Sequence, residues 1–542
     1  MVGVNQKIII MLFTTFFVIL SLINSKILNN FGIDLGLYVK GNFEFTKAIF
    51  FNVFSSLFII IYFLLNFRKK IIIPKVIYAI LGLFFISLIS SSFFLTNIFG
   101  NEVKGNGLLM FINLIGLLII LINQKKDTKI NILKYILFLS IIPILLTIKE
   151  YYFPTFVYNE IQNRAFGTFG HPNLLALFLL ILLPFLLDKI KNNYIFFIFV
   201  LFSIAIFLSK SFIGIVIYVI YVLWFLIKKL KLEKKYIITF LFLISFGVLI
   251  LIYNFGIITK LNSFISRFFI IETSLKVIFS DIKYIIFGLG NDSLQYLFDN
   301  YKSPYLYIFE NSGFTADRPH NLVISILLNY GFLGLILFLY IIYNFIKNYK
   351  NNPYFHSILL FLIFNLFNFS SIIHYFFIIL IISIIYKKSK NIKNAYLLKI
   401  FFIIISIFSI ISSIIYYKEE NKSFLSKNYT SNIEIYTNLK NENIENSILK
   451  SNNSYEIICK NLTQSINSAE NNLFCGDLFW NIDKKISIYY YKKGLEKLPD
   501  MWNKNSMYYD NIFVKKLYNE NRFFSEKFSN LKLILDRIGQ SY

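Results

Sequence analysis

Long uncharged apolar stretches dominate the chain, separated by short clusters rich in Lys, Asn, Gly and Pro. They fall at Ile8 to Ile23, Ala48 to Phe67, Val76 to Leu95, Leu108 to Ile122, Ile132 to Ile148, Leu174 to Leu187 and Tyr194 to Leu208. The remaining stretches are Phe212 to Ile227, Tyr236 to Tyr253, Asn321 to Ile346, Tyr354 to Phe369, Ile372 to Tyr386 and Leu398 to Tyr417. About 20 apolar residues of helix cross the hydrocarbon core of a bilayer, so the pattern predicts an all-α polytopic membrane protein with about 12 to 13 transmembrane helices. The first stretch, behind Lys7, has a signal peptide's character. It is followed by Asn24-Ser25-Lys26 rather than a small-residue cleavage site, so a retained span is expected.

Composition agrees: of 542 residues 57% are hydrophobic and 15% charged, which excludes an ordinary soluble domain. The net charge of +25 has the sign of a nucleic-acid binder, but the lysines punctuate apolar segments instead of forming a patch, and no nucleic-acid partner is expected. They fit the rule that cytoplasmic loops are rich in Lys and Arg. One set of alternate loops holds Arg68-Lys69-Lys70, Lys125-Lys126 with Lys129, Lys189 with Lys191, Lys228-Lys229, Lys347 with Lys350, and Lys387-Lys388 with Lys393 and Lys399. The opposite set holds little beyond Lys26, Lys40, Lys47, Lys104, Lys149, Arg164 and Lys210. The N-terminus is therefore expected inside, and the long loop from residue 254 to 320 outside.

Two regions follow. Residues 1–417 read as the membrane domain, and 418–542 as a polar, Asn- and Lys-rich extracytoplasmic tail. Apolar and aromatic residues return at helical spacing after Asn471, which predicts a small helical domain. Ile486 to Asp500, ISIYYYKKGLEKLPD, looks like the end of a tetratricopeptide-type helical hairpin. Cys459 and Cys475, both in this tail, either pair with each other or remain thiols.

The outward loops collect the polar groups able to do chemistry. Asp317 to Gly334, DRPHNLVISILLNYGFLG, sets two charges, a proline, a histidine and an amide against the start of a span. Pro319 is read as pre-set for the first helical turn. Lys104 stands in a glycine-rich turn, Gly100 to Gly107; Arg164 and His171 flank RAFGTFGHPN, which ends at Asn173; Lys210 lies between two spans; Arg267 precedes FIIET; and Gly290 closes FGLG. Each has a plain structural alternative: a surface lysine, a snorkelling arginine, a hairpin-tip charge, or an ion pair of Arg267 with Glu272. Together, Lys104, Arg164, Lys210, Arg267 and Arg318 suit an anionic lipid headgroup, arginine binding phosphate in bidentate fashion. His320 takes or gives a proton near neutral pH, with Asp317 close enough in sequence to orient it. His171 and Asn321 read more simply as helix caps, and His356 and His374 as structural. No Walker loop, dinucleotide fingerprint or metal-spaced cluster occurs, so no cofactor or metal is expected.

In order, these motifs resemble the O-antigen ligase and O-antigen polymerase superfamily of polytopic membrane glycosyltransferases. The resemblance runs over roughly Gly100 to Tyr386. It includes the turn at Lys104, RAFGTFGHPNLLALF from Arg164, SKS at Lys210, SR and FGLG from Ser266 to Gly290, DRPHNL with NYGFLG, and NLFNFS at Asn365 to Ser370. It implies transfer of a glycan from an undecaprenyl-pyrophosphate carrier to a glycan, lipid or protein acceptor at the outer face of the cytoplasmic membrane, inverting and without nucleotide or metal. Arg164 and Arg267 match donor-pyrophosphate positions, and His320 the histidine of the catalytic centre. The family often has arginine where this chain has Lys104 and Lys210. The alternatives are a polysaccharide polymerase and, in another class, a flippase of lipid-linked oligosaccharide. A flippase calls for charges lining a path through the spans, whereas here they gather at one face.

Overall fold

A computed structural model describes residues 6–22, 44–101, 104–152, 164–189, 193–230, 257–310, 314–348, 352–386, 392–393, 395–427, 459, 469–480 and 482–495. Helices α1 (Gln6–Leu22), α2 (Glu44–Leu65), α3 (Lys75–Ser90), α4 (Phe94–Phe99), α5 (Leu108–Ile122), α6 (Lys126–Leu139) and α7 (Ile141–Tyr152) come first. Next are α8 (Pro172–Asp188), α9 (Asn193–Leu208), α10 (Phe212–Leu230), α11 (Ile257–Phe279), α12 (Ile282–Phe287), α13 (Leu294–Tyr301) and α14 (Leu306–Phe309). Last are α15 (Leu322–Asn348), α16 (Pro353–Asn365), α17 (Ile372–Ile385), α18 (Tyr396–Lys427), α19 (Ala469–Phe479) and α20 (Lys484–Leu495). Among the described residues four helices, Glu44–Leu65, Lys126–Tyr152, Leu322–Asn348 and Tyr396–Ile415, are long and apolar enough to cross a membrane, and shorter apolar helices accompany them. The protein is an all-α, multi-pass membrane protein. The span expected at Tyr236 to Tyr253, Lys387 to Lys390 and most of the tail lie outside the described residues.

The chain forms two compact units. The first comprises Met1–Tyr253, Ile282–Ser293 and His320–Ser426; the second comprises Asn254–Asp281, Leu294–Pro319 and Lys427–Tyr542. At the centre of the first is α8, buried at every position from Pro172 to Leu187, as its all-round apolar sequence requires. It packs against α9, α10, α16 and α17. Pro184 removes one hydrogen bond inside α8, and the hydroxyl of Ser357 on α16 donates to the carbonyl of Ile181 nearby. Asn113 of α5 donates to Asn52 of α2 at 3.2 Å and to Ser409 of α18 at 3.0 Å, tying α18 to the body by buried polar contacts. Large apolar side chains such as Ile336, Leu339 and Tyr343 of α15 and Leu397 and Ile404 of α18 stay exposed, as lipid-facing surface would be.

Two expectations shift. The stretch from Val76 to Leu95 is broken: α3 stops at Ser90 because Ser91 Oγ accepts from Phe93 N at 3.1 Å, turning the chain before α4. Several lysines counted as loop charges are buried caps. Lys399 donates to the carbonyls of Asn66 (3.0 Å), Phe67 (2.7 Å) and Lys69 (2.5 Å) beyond the end of α2. Lys129 donates to Ser383 O near the end of α17, and Lys47 to Ser21 O at the end of α1 and to Thr168 O. A cation at a helix C-terminus satisfies carbonyls that lack a partner and complements the dipole. β1 (Ile71–Ile72) pairs antiparallel with β2 (Ile392–Lys393), so the loops after α2 and α17, both in the basic set, meet.

In the second unit α19 and α20 form a hairpin. Tyr491 lies against Gly476, where an added Cβ would fall 2.2 Å from the ring, and its hydroxyl donates to Asp477 at 2.6 Å. Cys459 and Cys475 are joined by a disulfide and buried with Phe479. The bridge closes a loop of sequence separation 16, worth about 3 kcal/mol against the open chain. Cys475→Ser is expected to destabilise the hairpin by that amount. The measurement is protease sensitivity of α19 and α20 with and without reductant: reductant should make the wild type as sensitive as the variant.

Candidate functional site

The six residues between α16 and α17, Leu366 to Ser371, meet the N-termini of α8, α15 and α17 and reach that of α10 through Asn173. His171 caps α8, its Nδ1 accepting from Asn173 N at 3.1 Å, with Pro172 in the first turn. Ser211 precedes α10, its carbonyl accepting from Ile215 N at 2.8 Å and its hydroxyl donating to Asn173 Oδ1 at 2.7 Å. Asn321 caps α15: its Oδ1 accepts from Val323 N (2.9 Å) and Ile324 N (3.1 Å), while its Nδ2 donates to Leu366 O at 2.8 Å. Ser371 caps α17 in a box with His374, whose Nε2 is 2.9 Å from Leu174 O of α8. Asn173 Nδ2 completes the set by donating to Asn368 Oδ1 at 2.9 Å.

Phe369 stands between two histidines, its ring centroid 5.3 Å from that of His171 and 5.1 Å, edge-on, from that of His320. Arg164 donates from Nε to Ser209 O at 3.2 Å, and Ala165 N to Leu208 O at 3.1 Å, fixing the arginine at the end of α9. Lys210 lies one residue on, its Nζ 5.7 Å from the ring of Tyr151. Each helix N-terminus acts as roughly half a positive charge. The carbonyls brought in by the ends of α9 and α16, Leu208, Ser209 and Leu366, are each engaged by a donor. With Arg164 and Lys210 the region gathers positive charge, an arrangement that suits an anion.

Pro319 does not open the helix as expected. His320 adopts φ 54°, in the left-handed region, and the helix starts only at Leu322 behind the Asn321 cap. Among the described residues the non-glycine residues with positive φ are Lys210, Asp292 and His320. Such conformations cost about 1–3 kcal/mol and persist where the surroundings over-determine them, commonly at functional sites.

A second cluster in the same unit holds Lys104 and Gly290. Lys104 is no surface lysine: it is buried at 2% exposure with Nζ 3.6 Å from Asp292. Asp292 Oδ2 also accepts from Asn101 N (3.3 Å) and Asn106 N (2.9 Å), closing the glycine-rich turn. Asp292 was absent from the sequence candidates, although it directly follows FGLGN. Gly290, φ 104°, sits where a Cβ would fall 2.5 Å from Ser91 Oγ. The FGLG turn docks into a break in α15: Gly331 takes φ 63°, ψ −162°, and Leu289 N donates to Leu328 O at 2.7 Å.

Arg267, Asp317 and Arg318 belong to the second unit. Arg267 is not set against Glu272, which pairs with Lys276 at 2.6 Å and accepts from Ser303 at 2.9 Å. Burial pulls the Arg267 guanidinium below its ordinary range while Glu310 opposes the shift. Arg318 holds Asp317 through Nε at 3.1 Å and Nη2 at 3.0 Å.

Residues 195–339 match the family model of O-antigen ligase. Over this part of the chain the protein is similar to the O-antigen ligase family. The matched segment carries Lys210, Arg267, Gly290, Asp317, Arg318, His320 and Asn321, while Lys104, Arg164, His171, Asn173 and Asn368 lie outside it. No curated protein and no solved structure matches the chain.

Proposed function

We propose that the protein transfers an oligo- or polysaccharide from undecaprenyl pyrophosphate to an acceptor at the outer face of the cytoplasmic membrane, with inversion and without metal. The observation carrying this reading is the convergence of the N-termini of α8, α10, α15 and α17 with Arg164, Lys210 and His320. An acceptor hydroxyl oxygen attacks the anomeric carbon. The bond from that carbon to the phosphate oxygen breaks, undecaprenyl pyrophosphate leaves with the bonding electrons, and His320 takes the hydroxyl proton. Because pyrophosphate is already a good leaving group, the protein has mainly to neutralise its charge and remove one proton. Arg164 and Lys210 do the first. The assignment of Lys104, Arg267, Arg318 and Asp317 rests on the motif resemblance alone, and the charge of Lys104 is matched internally by Asp292.

The orientation proposed, N-terminus inside and residues 418–542 outside, is supported by the alternation of basic loops and by the meeting of β1 with β2. The disulfide of the tail suits an oxidising, exported compartment. Arg164→Ala tests the donor site: binding of undecaprenyl pyrophosphate in lipid nanodiscs should weaken on the order of tenfold or more, as for loss of a charge-assisted contact. Unchanged affinity would remove Arg164 from the site. Ligase and polymerase are separated by deleting the gene: missing surface chains point to a ligase, chains of a single repeat to a polymerase.

A further inference from the structure

NLFNFS, Asn365 to Ser370, supplies a group that the reaction scheme above leaves unused. Asn368 is buried at 2% exposure, and its Nδ2 has no hydrogen-bond partner among the described residues. The Ser211 hydroxyl donates to Asn173 Oδ1, which turns Asn173 Nδ2 toward Asn368 Oδ1 and leaves Asn368 Nδ2 as the terminal donor. Leaving a buried donor unmatched costs about 1–3 kcal/mol, so such a group in a native fold calls for an acceptor.

The acceptor's chemistry follows from the position. Asn368 is bonded to the first turn of α8, and through Asn173 to Ser211 at the start of α10. Its neighbour Phe369 touches both His171 and His320. Lys210 adjoins Ser211 in the chain, and Arg164 is bonded to the carbonyl of Ser209 just before it. An N–H donor among helix N-termini and cations selects an anionic oxygen over a cation or an apolar group.

We propose that Asn368 is a substrate-contacting residue whose Nδ2 donates to a non-bridging oxygen of the lipid-linked pyrophosphate. Ser211 and Asn173 act as positioning residues that set its amide. The inference rests on the donor-site reading above and adds a neutral, directional donor to its cations. As the anomeric bond breaks, negative charge grows on the departing pyrophosphate, and a hydrogen bond to it strengthens.

The test is Asn368→Ser in the full chain in lipid nanodiscs, with melting temperature recorded. The probes are undecaprenyl pyrophosphate, undecaprenyl phosphate and inorganic pyrophosphate. The expected result is a folded protein whose melting temperature falls only modestly, as Asn173 Nδ2 loses its acceptor, with undecaprenyl pyrophosphate binding weaker by about tenfold or more, the loss expected for one hydrogen bond to a charged group. If Asn368→Ser does not fold, Asn368→Thr, neutral and with a hydroxyl able to accept from Asn173, is measured in the same way against the same expectation. Affinity within about twofold of wild type in the folded variant overturns the inference; if Arg164→Ala still weakens binding, the donor-site reading survives that failure. A wild type that binds inorganic pyrophosphate but not the lipid form overturns the lipid source, and one that binds none of the probes overturns inference and donor site together.

Discussion

Replacing His320 is expected to leave a folded protein that still binds the lipid-linked donor but transfers glycan about 100- to 10,000-fold more slowly, the usual contribution of a general base. The choice of variant matters because His320 has φ 54°. Alanine is poorly suited to that backbone region, whereas asparagine adopts it readily. His320→Asn therefore keeps the turn that sets Asn321 as the α15 cap and removes only the proton acceptor. His320→Ala adds strain to the chemical defect, so it should show a lower melting temperature as well. Transfer by His320→Asn within about tenfold of wild type would take the base away from His320.

Gly331→Ala is expected to yield no folded protein. At Gly331 a Cβ would lie 2.3 Å from the carbonyl carbon and oxygen of Ile286 and 2.5 Å from Phe287 N. These are backbone atoms, which have no rotamer by which to withdraw. The contact is reciprocal, since Gly288 lies equally close to the backbone of Asn329 and Tyr330. Positive φ adds about 1–2 kcal/mol for any residue with a side chain. Relief requires the FGLG turn to leave the break in α15, breaking the Leu289 to Leu328 hydrogen bond and exposing the buried bond from Tyr330 to Asn291. The measurement is accumulation and melting of detergent-purified protein; a variant melting like the wild type would mean that the two turns are not locked together. Gly82, with nothing within 4 Å of an added Cβ, is the matched control.

The spans were legible in the sequence because an uninterrupted apolar run has few alternatives in a bilayer. Caps were legible too: His171 and Asn321 behave as their neighbours in sequence suggested. What local pattern did not carry is which turn meets which. Asn173 and Asn368 are 195 residues apart in the chain, and Leu289 and Leu328 meet only because two glycine motifs interlock. Exposure is equally non-local. Lys104 reads as a loop lysine until Asp292 is brought against it, and Lys399 as a loop charge until the end of α2 supplies three carbonyls. Asn368 stood in a recognised motif, but nothing in six residues of sequence shows that one end of its amide is already bonded and the other is not.

The central claim is that a glycosidic bond to pyrophosphate breaks at this site. Its most direct measurement follows purified protein, reconstituted in vesicles with an undecaprenyl-pyrophosphate-linked glycan and an acceptor, by the fate of that bond. Free undecaprenyl pyrophosphate appearing in step with glycan on the acceptor, in wild type and not in His320→Asn, is the predicted result. Lipid-linked glycan that crosses the bilayer with its bond intact, at the same rate in both proteins, would contradict the account and identify a flippase instead.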